Sequence, residues 1–351
     1  MKVCYFGIYR PEYSRNKILI SGLRFNGVSV VECKTDKRGI VKYLDLIKKH
    51  WQIRKKYDIM IVGFPGFQSA ILAKLLTKKP IVFDAFLSMY DSIVLDRKQV
   101  VSKSLRAKYL WWLDKISMSV ADVVLFDTNE HIKYVTKEFN LPKEKFERIF
   151  IGADTDIFFP VDDNGKDDDK FKVLFYGTFI PLQGVEYIIK AAKELENEKD
   201  ILFIMIGNGQ EKKKALSIAK ELNVNNISFL DSYSQPRLSD EIAKADVCLG
   251  IFGDTEKARR VIPNKVFECV AMKRTVITAD TLAARELFKD NEVVFVKISD
   301  SKAIAEAILK LKKDKTMAKI IAENGYKKFL SETTIKKLGY QLLNMIKRYE
   351  Q

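Results

Sequence analysis

The chain has 351 residues, 47% hydrophobic and 30% charged, an ordinary balance for a soluble globular protein and too long for one hydrophobic core, so two domains are expected. The longest apolar runs, such as residues 201–206, fall far short of the roughly 20 residues a membrane-spanning helix needs, and no signal-peptide pattern opens the chain, so a cytoplasmic chain is expected. The net charge of +15 is uneven, with 28 Lys and Arg against 17 Asp and Glu in residues 1–160 and 33 against 29 in the rest. The basic first half calls for an anionic partner, whether a phospholipid surface, a pyrophosphate-linked acceptor or a nucleic acid, unless the charge serves solubility alone.

Short apolar runs predict strands at residues 3–7, 28–33, 59–63, 81–84, 123–126 and 146–151. Amphipathic stretches predict helices at 16–26, 40–57, 68–76, 103–119 and 130–139 between them. That alternation implies a parallel sheet covered by helices on both faces. In the helix over 103–119, Leu105, Tyr109, Trp112 and Ile116 recur at helical spacing and are expected to face the core. Trp111 then falls outward between Lys108 and Lys115. With Trp51 in the basic stretch HWQIRKKY, these residues form a candidate membrane face, against the alternative that both tryptophans pack inside.

The acidic run VDDNGKDDDK at 161–170 reads as a solvated linker between domains 1–160 and 171–330 rather than as a metal site. The alternation then restarts, with strands expected at 172–176, 201–206, 227–230, 246–251, 275–278 and 292–296 and helices between and after them. The fold class is therefore α/β, two doubly wound Rossmann-like domains. Ligands are expected at the carboxyl ends of the strands. A last helix at 334–349, in the segment 331–351, is read as crossing back to the first domain.

Four separated cysteines and two histidines, with no C-x-x-C pair, give no metal site, and reduced buried thiols are expected. Chemistry concentrates in two segments. YGTFIPLQGV at 176–185 follows a strand and opens a helix with glycines at both ends. It is either a phosphate-binding loop, with Gly177, Thr178, Gln183 and Gly184 near the anion, or an ordinary tight turn. Asn208 and Gly209 form a second permissive loop. GIFGDTEKARRVIPNKVFE at 250–268 leads through a basic loop into a helix opened by Pro263. Asn264, Lys265 and Glu268 share its first turns, with Lys265 suited to a phosphate and Glu268 to a ribose diol. The alternative is an exposed Lys265–Glu268 ion pair of little energetic worth.

Taken together, residues 173–195, 205–210, 245–280 and RIFIGADTDIFFP at 148–160 resemble glycosyltransferase family 4, retaining enzymes with the two-Rossmann GT-B architecture. The resemblance implies transfer of a sugar from a nucleotide-sugar to a membrane-associated or glycan acceptor in cell-surface polysaccharide or glycolipid synthesis. The first domain would take the acceptor and the second the donor, with no metal or other cofactor. It also implies a place for the chain on the inner face of the plasma membrane, and no nucleic-acid partner. Glu268 matches the second glutamate of the family's E-x7-E pattern, expected on the ribose hydroxyls.

This chain departs from the family at three points. Thr178 and Gln183 stand where the family has a basic pair on the donor pyrophosphate. Arg260 stands at the place of the first glutamate. Counting forward from residues 245–247 instead reaches Glu256, so either Glu256 is displaced and still contacts the sugar or that role is vacant. Lys257, Arg259, Arg260 and Lys265 are expected to supply the missing charge. Asp84 stands where relatives have a histidine and is the candidate catalytic carboxylate. Arg10, Arg15 and Asn16 are candidate phosphate contacts after the first strand. Alternatives from other classes are a non-catalytic scaffold of the same fold and a nucleotide-sugar 2-epimerase; a chain with only two histidines fits the epimerase poorly.

Overall fold

The computed structural model describes residues 1–161 and 170–349, so the linker read from 161–170 lies almost wholly outside the described residues. The chain divides into two compact units, Met1–Gly152 with Thr333–Gln351, and Ala153–Glu332.

In the first unit, β1 (Lys2–Gly7), β2 (Ser29–Lys34), β3 (Ile59–Val62), β4 (Ile81–Phe86), β5 (Val123–Phe126) and β6 (Phe146–Arg148) form one parallel sheet in the order β2-β1-β3-β4-β5-β6. β3 and β5 are buried at every residue, as uninterrupted apolar runs must be in a sheet covered on both faces. Right-handed crossovers send α1 (Ser14–Phe25) to one face and α2 (Val41–Ile53), α3 (Phe67–Leu76), α4 (Leu105–Val120) and α5 (Asn129–Phe139) to the other. There Leu46, Phe67, Leu113, Met118 and Phe139 pack onto Phe6, Phe83 and Phe126.

α4 corrects the sequence reading, because its two faces are exchanged. Leu105 is 84% and Trp112 54% exposed, and Tyr109 and Ile116 are exposed as well. Inward go Ala107, Leu110, Leu113, Asp114, Ser117 and Met118. Trp111, expected outside, lies half-buried against the core, with its indole N–H donating to Glu138 Oε1 at 2.8 Å. Both faces carry enough apolar residues to serve, so periodicity alone does not choose between them. The choice falls to buried polar groups. Asp114 accepts from Ser88 Oγ (2.6 Å) and from the backbone N–H groups of Met89 and Tyr90 (3.2 and 2.9 Å). Ser117 Oγ donates to the carbonyl of Phe67 at 2.9 Å. Those N–H groups lie between the end of β4 and a largely buried π-helical turn, Asp91–Asp96, and need an acceptor.

In the second unit, β7 (Phe171–Tyr176), β8 (Ile201–Ile206), β9 (Ile227–Leu230), β10 (Val247–Leu249), β11 (Thr275–Ala279) and β12 (Val294–Val296) form a second parallel sheet, ordered β12-β11-β10-β7-β8-β9. Around it lie α6 (Val185–Glu194), α7 (Lys212–Glu221), α8 (Gln235–Lys244), α9 (Asn264–Ala271), α10 (Leu282–Arg285), α11 (Ser301–Lys313) and α12 (Lys315–Glu332). The unit begins at Ala153, eighteen residues before the start read from the sequence. Phe158 is fully buried, and Ser239 Oγ of α8 donates to the carbonyl of Ile157 at 2.8 Å.

The final helix, α13 (Ile335–Lys347), packs against α1 within the first unit. The crossing depends on two glycines. A Cβ on Gly22 would lie 2.8 Å from the Gly339 Cα, and one on Gly339 would lie 2.1 Å from the Gly22 carbonyl carbon. Backbones this close admit no side chain between them. No helix among the described residues is long and apolar enough to cross a membrane. Cys4, Cys33, Cys248 and Cys269 are all buried and form no disulfide.

Candidate functional site

The carboxyl edge of the second sheet gathers three loops into one block. After β7, Gly177 takes φ +144°, and its N–H donates to the Ile206 carbonyl at 3.0 Å. Phe179 N–H donates to Asn208 at 2.9 Å, joining the loop after β8. Gly207 is obligatory here, since a Cβ on it would lie 2.0 Å from the Gly177 carbonyl oxygen. Residues Pro181–Gln183 form a 3₁₀ turn, and Gly184, in the left-handed region at φ +66°, caps the start of α6. The loop after β10 joins through Phe252 N–H to Gln183 O at 3.1 Å and Gly253 N–H to Leu182 O at 3.2 Å. Thr178 and Asn208 are exposed on the outer surface of the block.

α9 enters this block from below. Pro263 is its N-cap, so Asn264 and Lys265 occupy the first turn and Glu268 follows one turn on. The exposed ion pair weighed as an alternative is not what forms. Lys265 is 5% and Glu268 7% exposed, and each is held by neutral groups. Lys265 Nζ donates to Gln183 Oε1 at 2.5 Å, lies 3.4 Å from the Gly250 carbonyl oxygen, and sits 3.7 Å above the Phe175 ring. It is also 3.3 Å from where a Cβ on Gly177 would be, so the glycine leaves the ammonium uncovered on that side. Glu268 Oε2 accepts from the Tyr176 hydroxyl at 2.6 Å.

Burial pulls the Lys265 pKa well below its ordinary value and pushes the Glu268 carboxyl up. An amide, a carbonyl and a ring face stabilise a buried cation less than an anion does. The site therefore favours a ligand that carries negative charge to Lys265. The sequence reading missed Tyr176 and Phe175, the last two residues of β7. Their signal was their position, since the end of the strand before a glycine loop points at whatever the loop holds.

The basic loop before α9 is less uniform than expected. Lys257 is buried and Arg260 half-buried, whereas the Glu256 side chain is 82% exposed. Arg259 pairs with Asp254 at 2.9 Å and reaches Glu256 at 3.8 Å. Glu256 thus lies at the surface with Arg259 and makes no contact with Glu268.

In the first unit, three candidates turn out to be internal. Arg15 and Asp84 are fully buried and form a bidentate pair, Nε to both carboxylate oxygens at 3.1 Å and Nη2 to Oδ1 at 2.9 Å. Arg15 Nη1 also donates to the carbonyls of Ile149 and Phe150 at 2.7 and 2.8 Å. Burial pushes the Asp84 carboxyl up, and the guanidinium opposes that push. Neither side chain has a surface to offer an acceptor or a phosphate, which corrects the roles read from the sequence. Asn16 is likewise saturated, donating to the carbonyls of Arg10 (3.1 Å) and Phe64 (2.7 Å) and accepting from Tyr5 OH (3.0 Å) and Phe64 N–H (3.1 Å). Arg10 alone of this group is exposed.

Residues 159–328 match the family model for glycosyl transferases group 1. The match lies within the second unit and makes that unit similar to the group 1 glycosyl transferases. The chain is 22% identical over 225 residues to the alpha-D-kanosaminyltransferase of Streptomyces kanamyceticus, an alignment spanning 61% of the chain and 57% of that relative's length. In fold it is similar to Anabaena HepE, solved in complex with UDP and glucose, at TM-score 0.73 and 14% identity over 99% of this chain and 100% of that one. The sucrose-phosphate synthase of Thermosynechococcus elongatus is similar at TM-score 0.76 and 14% identity, over 99% of this chain and 98% of that one. At such identities the structural likeness is one of fold, the two-sheet GT-B architecture.

Proposed function

We propose that this glycosyltransferase takes a nucleotide-sugar on its second unit and passes the sugar, with retention, to a membrane-associated or glycan acceptor in cell-surface polysaccharide or glycolipid synthesis. One observation carries the reading. The Lys265 ammonium lies within 2.5 Å of the side chain at 183, the position where the resemblance implies a loop cation and this chain has glutamine. The charge missing from the loop is supplied from the first turn of α9 to the same place.

A donor diphosphate laid over Gly177 meets that ammonium and the amino-terminal end of α6, both favourable to negative charge. As the glycosyl bond breaks, the leaving diphosphate gains charge and its attraction to Lys265 rises, which lowers the barrier. Glu268 accepts from the ribose hydroxyls, with Tyr176 holding the carboxylate in line. Arg260, half-buried at the foot of the same loop, adds a guanidinium to the phosphates. Side-chain cations would do this work in place of a bound metal. UDP is the nucleoside diphosphate to try first, because HepE is solved with UDP-glucose.

Membrane association belongs to the same proposal, on a revised face. Trp51 on α2 is 65% exposed, and Leu105, Tyr109 and Trp112 stand exposed on α4 beside Lys108 and Lys115. Aromatic rings among lysines suit an anionic headgroup layer. Trp112 takes the place the sequence gave to Trp111.

Titration with UDP and other nucleoside diphosphates tests the donor site. Wild-type chain is expected to bind at least one. Lys265→Met should lower that affinity about 100-fold and Arg260→Ala about tenfold, since a charge-assisted hydrogen bond contributes roughly 1.5 to 3 kcal/mol. Unchanged affinity in both variants ends the reading.

A further inference from the structure

A cavity of about 580 Å³ opens at the carboxyl edge of the first sheet, and none of the roles assigned so far uses it. Its walls come from the three loops that follow β1, β2 and β3. Arg10 contributes from the first, Lys37 and Arg38 from the second, and Phe64 from the third, with Tyr13 at the mouth of α1. Two kinds of surface line it. Phe64 and Tyr13 stack at 5.5 Å with 37° between their planes, backed by Phe86 at 5.0 Å from the Phe64 ring. Three cations, Arg10, Lys37 and Arg38, line the same cavity.

The charges are not consumed internally. Lys37 pairs with Asp45 at 3.0 Å, but the guanidinium groups of Arg10 and Arg38 meet no carboxylate among the described residues. Asp36 also lines the cavity, but its side chain is 92% exposed and lies 3.9 Å from Lys34 Nζ. The walls are also fixed. Buried Asn16 ties the first loop to the third through the carbonyls of Arg10 and Phe64. Thr35 ties the second to α2, donating to Asp45 at 2.6 Å and accepting from Lys37 N–H at 3.2 Å. A preformed cavity joining a ring face to two uncommitted guanidinium forks matches a saccharide on a phosphate, the ring lying on the aromatics and the phosphate oxygens taking the forks.

We infer that this cavity is the acceptor subsite and that the acceptor is a phosphate- or pyrophosphate-linked saccharide, seated on Tyr13 and Phe64 and held by Arg10 and Arg38. The inference rests on the transferase reading for the word acceptor, and on the first unit alone for the ligand's chemistry. Arg10 accordingly binds the acceptor rather than the donor diphosphate, and Asn16 is a positioning residue.

Three probes test it by calorimetry: a short-chain alkyl diphosphate-linked hexose, its phosphate-free alkyl glycoside, and UDP. The diphosphate-linked hexose should bind wild-type chain, and Arg10→Ala and Arg38→Ala should each weaken it about tenfold while leaving UDP affinity unchanged. Tyr13→Leu should weaken it less and weaken the glycoside as much. Three results overturn the inference: UDP bound without the diphosphate-linked hexose; UDP affinity falling in the Arg10 and Arg38 variants alongside it; or diphosphate-linked hexose and glycoside bound equally by every variant. Hexose diphosphate bound in this pattern, with no nucleoside diphosphate bound at all, supports the cavity and fails the transferase reading instead.

Discussion

The two sheets end in opposite electrostatic designs. At the carboxyl edge of the first, the buried guanidinium of Arg15 closes on the buried carboxylate of Asp84. At the edge of the second, Lys265 and Glu268 are nearly as deep and attract each other, yet the hydrogen bonds each makes are to neutral partners. A charge paired inside the protein stabilises the fold and has nothing left for a ligand. A charge held by an amide or a phenol is less well stabilised, and a ligand of opposite sign relieves that cost. The position of a charged residue after a strand therefore says less about function than the identity of its partner does.

The sharpest way to break this comparison is at Arg15. Arg15→Met leaves Asp84 buried without its partner and should cost about 3 to 5 kcal/mol in a denaturant titration, with Asp84→Leu in the same chain recovering most of it. If Asp84→Asn instead abolishes transfer without loss of stability, the pair is not structural and Asp84 regains a catalytic role.

Lys265→Met should behave in the opposite sense. Removing a buried, imperfectly compensated cation is expected to leave stability unchanged or raise it by about 1 kcal/mol while nucleoside diphosphate affinity collapses. The pH dependence follows with its sign. The Lys265 pKa is lowered by burial, so raising pH discharges the ammonium before it would discharge an exposed lysine, and diphosphate affinity should fall with rising pH in wild type and stay flat in the variant. A loss of stability as large as that of Arg15→Met contradicts the contrast between the edges.

A smaller effect sharpens the reading of α4. The Asp114 carboxyl is pushed up to about 7 by burial. Its folded pKa lies above its unfolded one, so its contribution is present below about pH 4 and is lost as pH rises toward 7, at up to about 1.4 kcal/mol per pH unit. Asp114→Asn should flatten that slope in stability measured across pH 4 to 7. On the same helix, Trp112→Ala should change stability by less than about 0.5 kcal/mol while weakening association with anionic vesicles. Trp111→Ala should do the reverse.

Much of this was written locally. Apolar runs bounded by glycines, with amphipathic stretches between them, determined the two parallel sheets, because strand and helix periods are properties of neighbouring residues. The placement of Gly177, Gly184, Lys265 and Glu268 at one sheet edge was legible for a similar reason: a strand, a glycine loop and a helix start follow in order along the chain. What the sequence did not hold was the choice of partner. It did not say that Arg15 meets Asp84 across 69 positions, or that Lys265 reaches Gln183 across 82. Nor did it say which apolar face of α4 turns inward, a matter decided by the backbone N–H groups of Met89 and Tyr90 and their need for Asp114. Local pattern fixes which elements form. Only the packed structure decides which charges are satisfied inside and which wait for a ligand, because a hydrogen bond between distant residues exists only once the sheets bring them together.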